Sequence, residues 1–219
     1  MSNLLIALLG ALMLLSQSRW LWQQRQNREP QARGSLSAGL VALLLVSLAL
    51  LCAPALHWFG TQAFTEAGQL LGLAASYMAL PLLGLAAAQL ASDFHWPPQR
   101  WSQLILGIMV FFELSRWLDL QQAWLWLVNG IGYAGLLLAL LRPRSQDARL
   151  RIPAAIALIC LPAPLLLGYG NPLLALQQPD MRLLGLLPGL IGAAAMVGLL
   201  AEQAHNSDPS VEPPEERDA

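Results

Sequence analysis

The chain contains no lysine: all twelve of its basic residues are arginine. Because a protein Schiff base requires a lysine amine, chemistry of that kind is excluded. Charged residues of both signs make up only 11% of the 219 residues, whereas a soluble domain carries about a quarter. Together with a hydrophobic fraction of 56%, this scarcity of charge is typical of a protein that lies in a lipid bilayer.

Positive charge and cysteine are also scarce. The formal net charge is −1, so the chain has no excess of basic residues that could neutralise phosphates, and we expect no nucleic-acid partner. The sequence has two cysteines, Cys52 and Cys160, and both fall within apolar segments. A thiol in such surroundings packs as a small hydrophobic group, so we expect both cysteines to be unpaired.

Sequence motifs of common enzymes are missing as well. The chain has no HExxH, GxSxG or P-loop pattern. His57, His95 and His205 are predicted at different levels of the fold, which argues against a metal site with three histidine ligands. Ser115 has no histidine within the membrane segments to activate it. We therefore expect no metal and no cofactor, and we favour a non-catalytic protein over an enzyme.

Long apolar runs dominate the sequence that remains. A membrane-spanning helix needs about 20 predominantly apolar residues, and seven runs are close to that length. They cover residues 3–22, 36–56, 67–91, 101–120, 123–141, 152–169 and 183–203. This pattern predicts an all-α integral membrane protein, in which residues 1–203 form one bundle of seven transmembrane helices.

The arginines predict the orientation of this bundle. Four arginines lie in the loop at 19–35 and four at 142–151, whereas the segments at 57–66 and 170–180 contain none. Because short cytoplasmic loops retain arginine and lysine, we expect an outside N-terminus and a cytoplasmic C-terminus, as in a multi-pass protein of a bacterial inner membrane. Residues 204–219 are acidic and almost free of apolar side chains, so a disordered cytoplasmic tail is predicted.

The segment FFELSRWLDL places Glu113, Arg116 and Asp119 three residues apart in the fourth predicted helix. Residues at this spacing lie on neighbouring positions of one helical surface, where an acid and a base can pair. A charged side chain near the bilayer centre costs about 2.5–3.5 kcal/mol on insertion scales. We therefore expect the fourth helix to turn these three residues inward.

Other polar side chains are predicted at a similar depth. Asn129 and Tyr133 lie one turn apart on the fifth helix, while Gln69 and Tyr77 lie on the third. With the three charged residues, they would line a polar pocket in the outer half of the bilayer. All seven are candidates for binding a small molecule or an ion, with Glu113 as a group that could take up a proton.

Prolines and small residues predict where helices bend and touch. Pro81, Pro162, Pro164 and Pro188 fall inside predicted helices, and each removes a backbone hydrogen bond. Such positions can be simple kinks, or hinges and free carbonyls that line a cavity. Two rows of small residues at four-residue spacing predict close helix packing: Gly68, Gly72 and Ser76, and Gly185 with Gly189.

Two apolar segments, YMALPLLGLAAA and AAAMVGLLA, resemble helices of microbial rhodopsins, which also have seven helices and an outside N-terminus. In that family the last helix carries the lysine that binds retinal. Met196 occupies the comparable position here, so covalent attachment of retinal is excluded, and we do not assign the chain to that family.

Two functions remain open. The first is a small transporter or ligand-binding carrier, whose polar pocket surrounds Glu113. The alternative is a structural or accessory membrane subunit, in which Glu113, Arg116 and Asp119 only lock helices together and the cytoplasmic loops bind a protein partner. A vacant polar cavity at Glu113 would favour the first function, and a packed one would favour the second.

Overall fold

The computed structural model of this chain describes residues 2–26, 30–92, 96–142, 148–168, 171–176 and 182–206. Throughout these residues the structure is helical and contains no β-strand, which confirms the predicted all-α class. The helices are α1 (Ser2–Gln26), α2 (Pro30–Phe59), α3 (Gln62–Ala91), α4 (Pro98–Trp117), α5 (Gln121–Leu141), α6 (Ala148–Cys160), α7 (Ala163–Leu166) and α8 (Leu183–Asn206), and a 3-10 helix (Pro172–Leu176) precedes α8.

Six segments of the described chain are long and apolar enough to cross a membrane. They correspond to α1, α2, α3, α5, the stretch from α6 through α7, and α8. The predicted fourth crossing is not among them, although α4 is a continuous helix of 20 residues. Arg100, Gln103, Glu113 and Arg116 leave α4 a shorter apolar stretch than the prediction assumed. Insertion into a membrane and the orientation of the bundle stay predictions.

Helix α3 forms the centre of the bundle. Every residue from Ala75 to Gly84 is buried, because α2, α5, α8 and the 3-10 helix pack around this helix. A helix that is apolar on all sides is expected to be enclosed in this way. Helix α4 lies at the edge of the bundle and has far fewer neighbours.

The backbones of α3 and α5 meet at three glycines. A Cβ atom on Gly132 would lie 2.5 Å from the carbonyl carbon of Leu80, and one on Gly135 would lie 2.6 Å from that of Gly84. Neither distance is sterically allowed, so only glycine permits this approach. Small residues have the same role in helix pairs of membrane proteins.

Helix α8 uses a second row of glycines to pack on α6 and α7. Gly185 faces the Pro164 ring, and Gly189 faces Leu161, as the spacing of the small residues predicted. In the other predicted row, Gly68 faces Cys52 across the α2–α3 contact. Both cysteines are unpaired thiols, as expected.

The prolines have two different effects on the helices. Pro81 and Pro188 lie within the continuous helices α3 and α8. The predicted sixth crossing, in contrast, is interrupted: α6 ends at Cys160, and the short α7 begins at Ala163. This break was expected from Pro162 and Pro164, and it brings backbone carbonyls next to α5.

Some sequence predictions fall outside the described residues. His95 and most of the predicted acidic tail, residues 207–219, are among them. At the junction, α8 continues through Asn206, so the first residues of the segment 204–219 are helical.

Candidate functional site

Glu113 and Arg116 form an ion pair on the outer surface of the bundle. The Arg116 Nη2 atom lies 3.1 Å from Glu113 Oε1, and the side chains are 57% and 50% exposed, respectively. The expectation that α4 turns these charges inward is therefore wrong. Neither residue lines the cavities described below.

The buried side of α4 explains this orientation. The helix contacts the bundle through Trp101, Ile108 and Ser115, which recur every seven residues and are buried. Glu113 and Arg116 lie off this stripe, next to exposed apolar side chains that include Met109 and Leu114. Because α4 has apolar residues on both sides and a serine on its buried side, its sequence did not reveal which side faces inward.

Asp119 has a clear structural role in the turn between α4 and α5. Its φ of 55° lies in the left-handed region, which a non-glycine residue adopts rarely and Asp more readily than most. The turn is closed by a 2.8 Å hydrogen bond from the Leu120 N–H to the Ser115 carbonyl. This is the pattern of a helix that ends in a left-handed residue. Asp119 is exposed at this reversal of the chain direction, and the described ion pair of Arg116 is with Glu113 and not with Asp119.

The two α3 candidates are separated from each other. Gln69 is exposed near the start of the helix. Tyr77 is buried, and its hydroxyl donates a 3.2 Å hydrogen bond to the carbonyl of Gln121, at the start of α5. The Tyr77 ring also packs on Phe112 of α4, with a centroid separation of 4.7 Å. Tyr77 thus joins α3, α4 and α5 within the buried part of the bundle.

Asn129 links α5 to α3 and leaves one polar atom without a partner. Its Nδ2 donates to the Leu125 carbonyl of its own helix at 2.9 Å and to the Ser76 carbonyl of α3 at 3.1 Å. The side chain is buried, with 6% exposure, and Oδ1 accepts no hydrogen bond. Most buried polar atoms are satisfied, so this amide oxygen retains the capacity to accept a hydrogen bond from a bound molecule.

Tyr133, one turn further along α5, reaches the break between α6 and α7. Its hydroxyl donates a 2.8 Å hydrogen bond to the carbonyl of Leu158. In a continuous α-helix that carbonyl would accept from the N–H four residues later, but this residue is Pro162, which has no N–H. Tyr133 therefore satisfies a carbonyl that the helix break leaves open.

Asn129 and Tyr133 line the same cavity, of about 200 Å³, between α3, α5, the α6–α7 break and the 3-10 helix. The remaining lining is mostly apolar, with Asn171 as a third polar group: Leu80, Trp126, Gly130, Leu161, Pro162, Leu165, Asn171 and Leu173. Of the seven predicted site residues, the structure brings these two together in a cavity. The other five lie elsewhere on the described chain.

Sequence analysis missed Asn171, which was assigned to an outer loop. The side chain is buried, with 7% exposure, and its Oδ1 accepts a 3.0 Å hydrogen bond from the Leu173 N–H. The dipeptide Asn171–Pro172 favours the start of a turn, and here it starts the 3-10 helix. That signal was available, but it did not show that the turn packs against the bundle.

A second, larger cavity is almost entirely apolar. This groove of about 670 Å³ lies between α3, α4 and α5, where Pro81, Ile108 and Val128 form part of its wall. The rings of Phe111 and Trp124 stack at 5.3 Å along it. Arg100 and Gln103 also line this groove. We prefer the smaller cavity as the candidate site because two of the predicted site residues, Asn129 and Tyr133, line it together.

Within the described chain, no group of three or more His, Cys, Asp or Glu side chains could hold a metal ion. A scan against protein-family models, a search of curated proteins and a search of solved structures each find no match to this chain.

Proposed function

We propose that this chain is a multi-pass membrane protein of the bacterial inner membrane, which binds a small polar ligand in the cavity of Asn129 and Tyr133 as a transporter or carrier. The supporting observation is the buried Asn129 Oδ1 without a hydrogen-bond partner, in a residue that lines this cavity. The site differs from the pocket around Glu113 that the sequence suggested. Six apolar segments long enough to cross a membrane are compatible with the proposed location.

The cavity defines the kind of ligand. Asn129 Oδ1 requires a hydrogen-bond donor, while most of the other lining groups are apolar. The volume of about 200 Å³ is below the range of about 300–1,000 Å³ of drug-sized pockets. A small, neutral molecule with an amide or hydroxyl donor and a short apolar body fits these properties.

The position of the cavity is consistent with transport. It lies beside the discontinuous α6–α7 segment, and interrupted helices near the bilayer midplane form the substrate sites of many transporters. Rearrangement of the short α7 would change access to the cavity without disturbing the packed α3–α5 contact.

The test is a thermal-shift screen of the purified protein with small amides and alcohols. A ligand at 100 times its Kd stabilises the folded state by about 2.7 kcal/mol. The Gly130→Leu variant should lose the shift, because the new side chain would occupy the cavity from a position whose Cβ meets nothing within 4 Å.

The matched control is Gly107→Leu. Gly107 lines the apolar groove, and a Cβ atom there also meets nothing within 4 Å. A compound that binds the proposed cavity stabilises Gly107→Leu as well as the original protein. If a stabilising compound loses its effect only in Gly107→Leu, the ligand site is the apolar groove and the proposal is wrong.

A second function, an accessory subunit, is favoured by the outer side of α4. Four apolar side chains beside the Glu113–Arg116 pair are at least half exposed there: Leu106, Met109, Val110 and Leu114. A membrane partner that covers this side would bury both the apolar groups and the charges. A photo-crosslinking residue at Met109 should then give an adduct that one at the equally exposed Leu138 of α5 does not. The predicted protein partner at the cytoplasmic loops belongs to this second proposal.

A further inference from the structure

A separate cleft lies between the ends of α1, α2 and α4, away from the proposed ligand cavity. Its volume is about 400 Å³, and Arg25 and Arg33 both line it. The Arg25 Nε atom is buried and has no hydrogen-bond partner. The Arg25 guanidinium also lies 5.1 Å from the centre of the Trp22 ring. Two guanidinium groups that line one cleft give it the chemistry of an anion site.

The walls of the cleft change from polar to apolar along the helices. On α2, the lining residues Arg33, Ser37 and Val41 recur every four residues and so lie on one side of the helix. They extend over about 12 Å along the helix axis. On α4, Ser102 is followed by Ile105 along the same wall. The cleft is therefore basic at one end and apolar at the other.

From this arrangement we propose that the cleft binds an anionic phospholipid. The phosphate group lies between Arg25 and Arg33, and the start of an acyl chain lies against Val41 and Ile105. Basic pockets between membrane helices on the cytoplasmic side bind anionic head groups elsewhere, and the arginine distribution predicts that this end of the bundle is cytoplasmic. The lipid would hold the edge helix α4 against α1 and α2.

The apolar wall distinguishes a lipid from other anions. A soluble phosphate compound would use the arginines but leave Val41 and Ile105 uncovered. The acidic C-terminal segment of this chain could also pair with the arginines, but residues 207–219 contain Val211 as their one large apolar residue. A phospholipid matches both ends of the cleft.

The experiment measures lipid retention. The protein is reconstituted in an equal mixture of phosphatidylglycerol and phosphatidylcholine, extracted, and analysed by native mass spectrometry. We expect phosphatidylglycerol to be enriched among the retained lipids. Each basic residue near a membrane surface contributes about fivefold to binding of anionic lipid. Arg25→Gln and Arg33→Gln should therefore each reduce the enrichment by about that factor, and the double variant should abolish it.

The matched control is the double variant Arg149→Gln and Arg151→Gln, which removes the same charge from exposed positions of α6. It should keep the enrichment. Equal losses in the two double variants would show general attraction by a basic surface and would overturn the site. Displacement of the retained lipid by millimolar glycerol phosphate, which has no acyl chain, would also overturn it. Thermal unfolding of each variant verifies that a loss of lipid does not result from misfolding.

Discussion

The hydroxyl of Tyr133 lies 2.8 Å from the carbonyl oxygen of Leu158 and donates a hydrogen bond to it. This carbonyl belongs to α6 and precedes Pro162 by four residues, so its own helix provides no donor. The bond ties α5 to the point at which α6 ends. Inside a membrane, where water is absent, such a carbonyl requires a partner from a neighbouring helix.

Tyr133→Phe should therefore destabilise the protein by about 1 kcal/mol, because the part-buried carbonyl of Leu158 loses its hydrogen bond. The matched control is Tyr77→Phe. Tyr77 donates to the carbonyl of Gln121, the first residue of α5, which already takes part in that helix. Thermal unfolding in detergent should show the larger loss for Tyr133→Phe.

A double-mutant cycle tests the physical reason. Pro162→Ala supplies an N–H that can donate to Leu158, so Tyr133→Phe should cost less when combined with Pro162→Ala. Equal costs with and without Pro162 would mean that Tyr133 stabilises the protein through its packing and not through the open carbonyl.

Gly132→Ala should be among the most damaging single changes in α5. The added Cβ would overlap the backbone of Leu80 and Pro81, and overpacking in a tight core typically costs about 1–3 kcal/mol. Gly130→Ala is the matched control, because a Cβ there meets nothing within 4 Å, and alanine is the better helix former by about 1 kcal/mol. Denaturation of the two variants should show opposite signs. Similar losses would indicate that α3 and α5 are not in backbone contact.

Much of this fold could be predicted from the apolar runs, the spacing of small residues and the prolines of the sequence. The candidate site could not be predicted from them. Apolar runs predicted the helices, the row of Gly185 and Gly189 predicted close packing of α8 but not its partner helix, and Pro162 with Pro164 predicted the break. The prediction of which side of α4 faces the bundle was wrong. Hydrophobic residues on a membrane helix can face lipid as well as protein, so they do not mark the buried side. The cost of a membrane charge favoured an inward Glu113, whereas Ser115 takes the buried position.

Substitutions of Asp119 distinguish a role in the turn between α4 and α5 from a role of its carboxylate in binding. Asp119→Gly should leave stability unchanged or raise it slightly, because glycine adopts the left-handed region without steric cost. Asp119→Val should lower stability by at least about 1 kcal/mol, because a β-branched residue is strained at a φ of 55°. Both variants remove the carboxylate, so equal losses of stability or ligand response would assign a role to its charge instead.

The orientation of the bundle can be tested by cysteine labelling after Cys52 and Cys160 are replaced by alanine. Gln26, Thr61 and Arg149 are exposed positions at helix ends. Because arginine-rich loops are retained in the cytoplasm, cysteines at positions 26 and 149 should be protected in intact cells from a reagent that does not cross the inner membrane. A cysteine at position 61 should react. The opposite pattern would invert the protein and place the basic cleft outside.

The Glu113–Arg116 pair should contribute little to stability. Since both side chains are half exposed, Arg116→Ala should change the free energy of unfolding in detergent by less than about 1 kcal/mol, as is usual for exposed ion pairs. Glu113→Gln should change it equally little.

Ile108→Ala is the control on the buried side of α4. It should cost about 2 kcal/mol or more, which would show that the unfolding measurement reports the docking of this helix. If Arg116→Ala instead costs about 3–5 kcal/mol, as for a broken buried pair, α4 turns its charges towards protein. The polar pocket around Glu113 would then replace the cavity of Asn129 and Tyr133 as the candidate site.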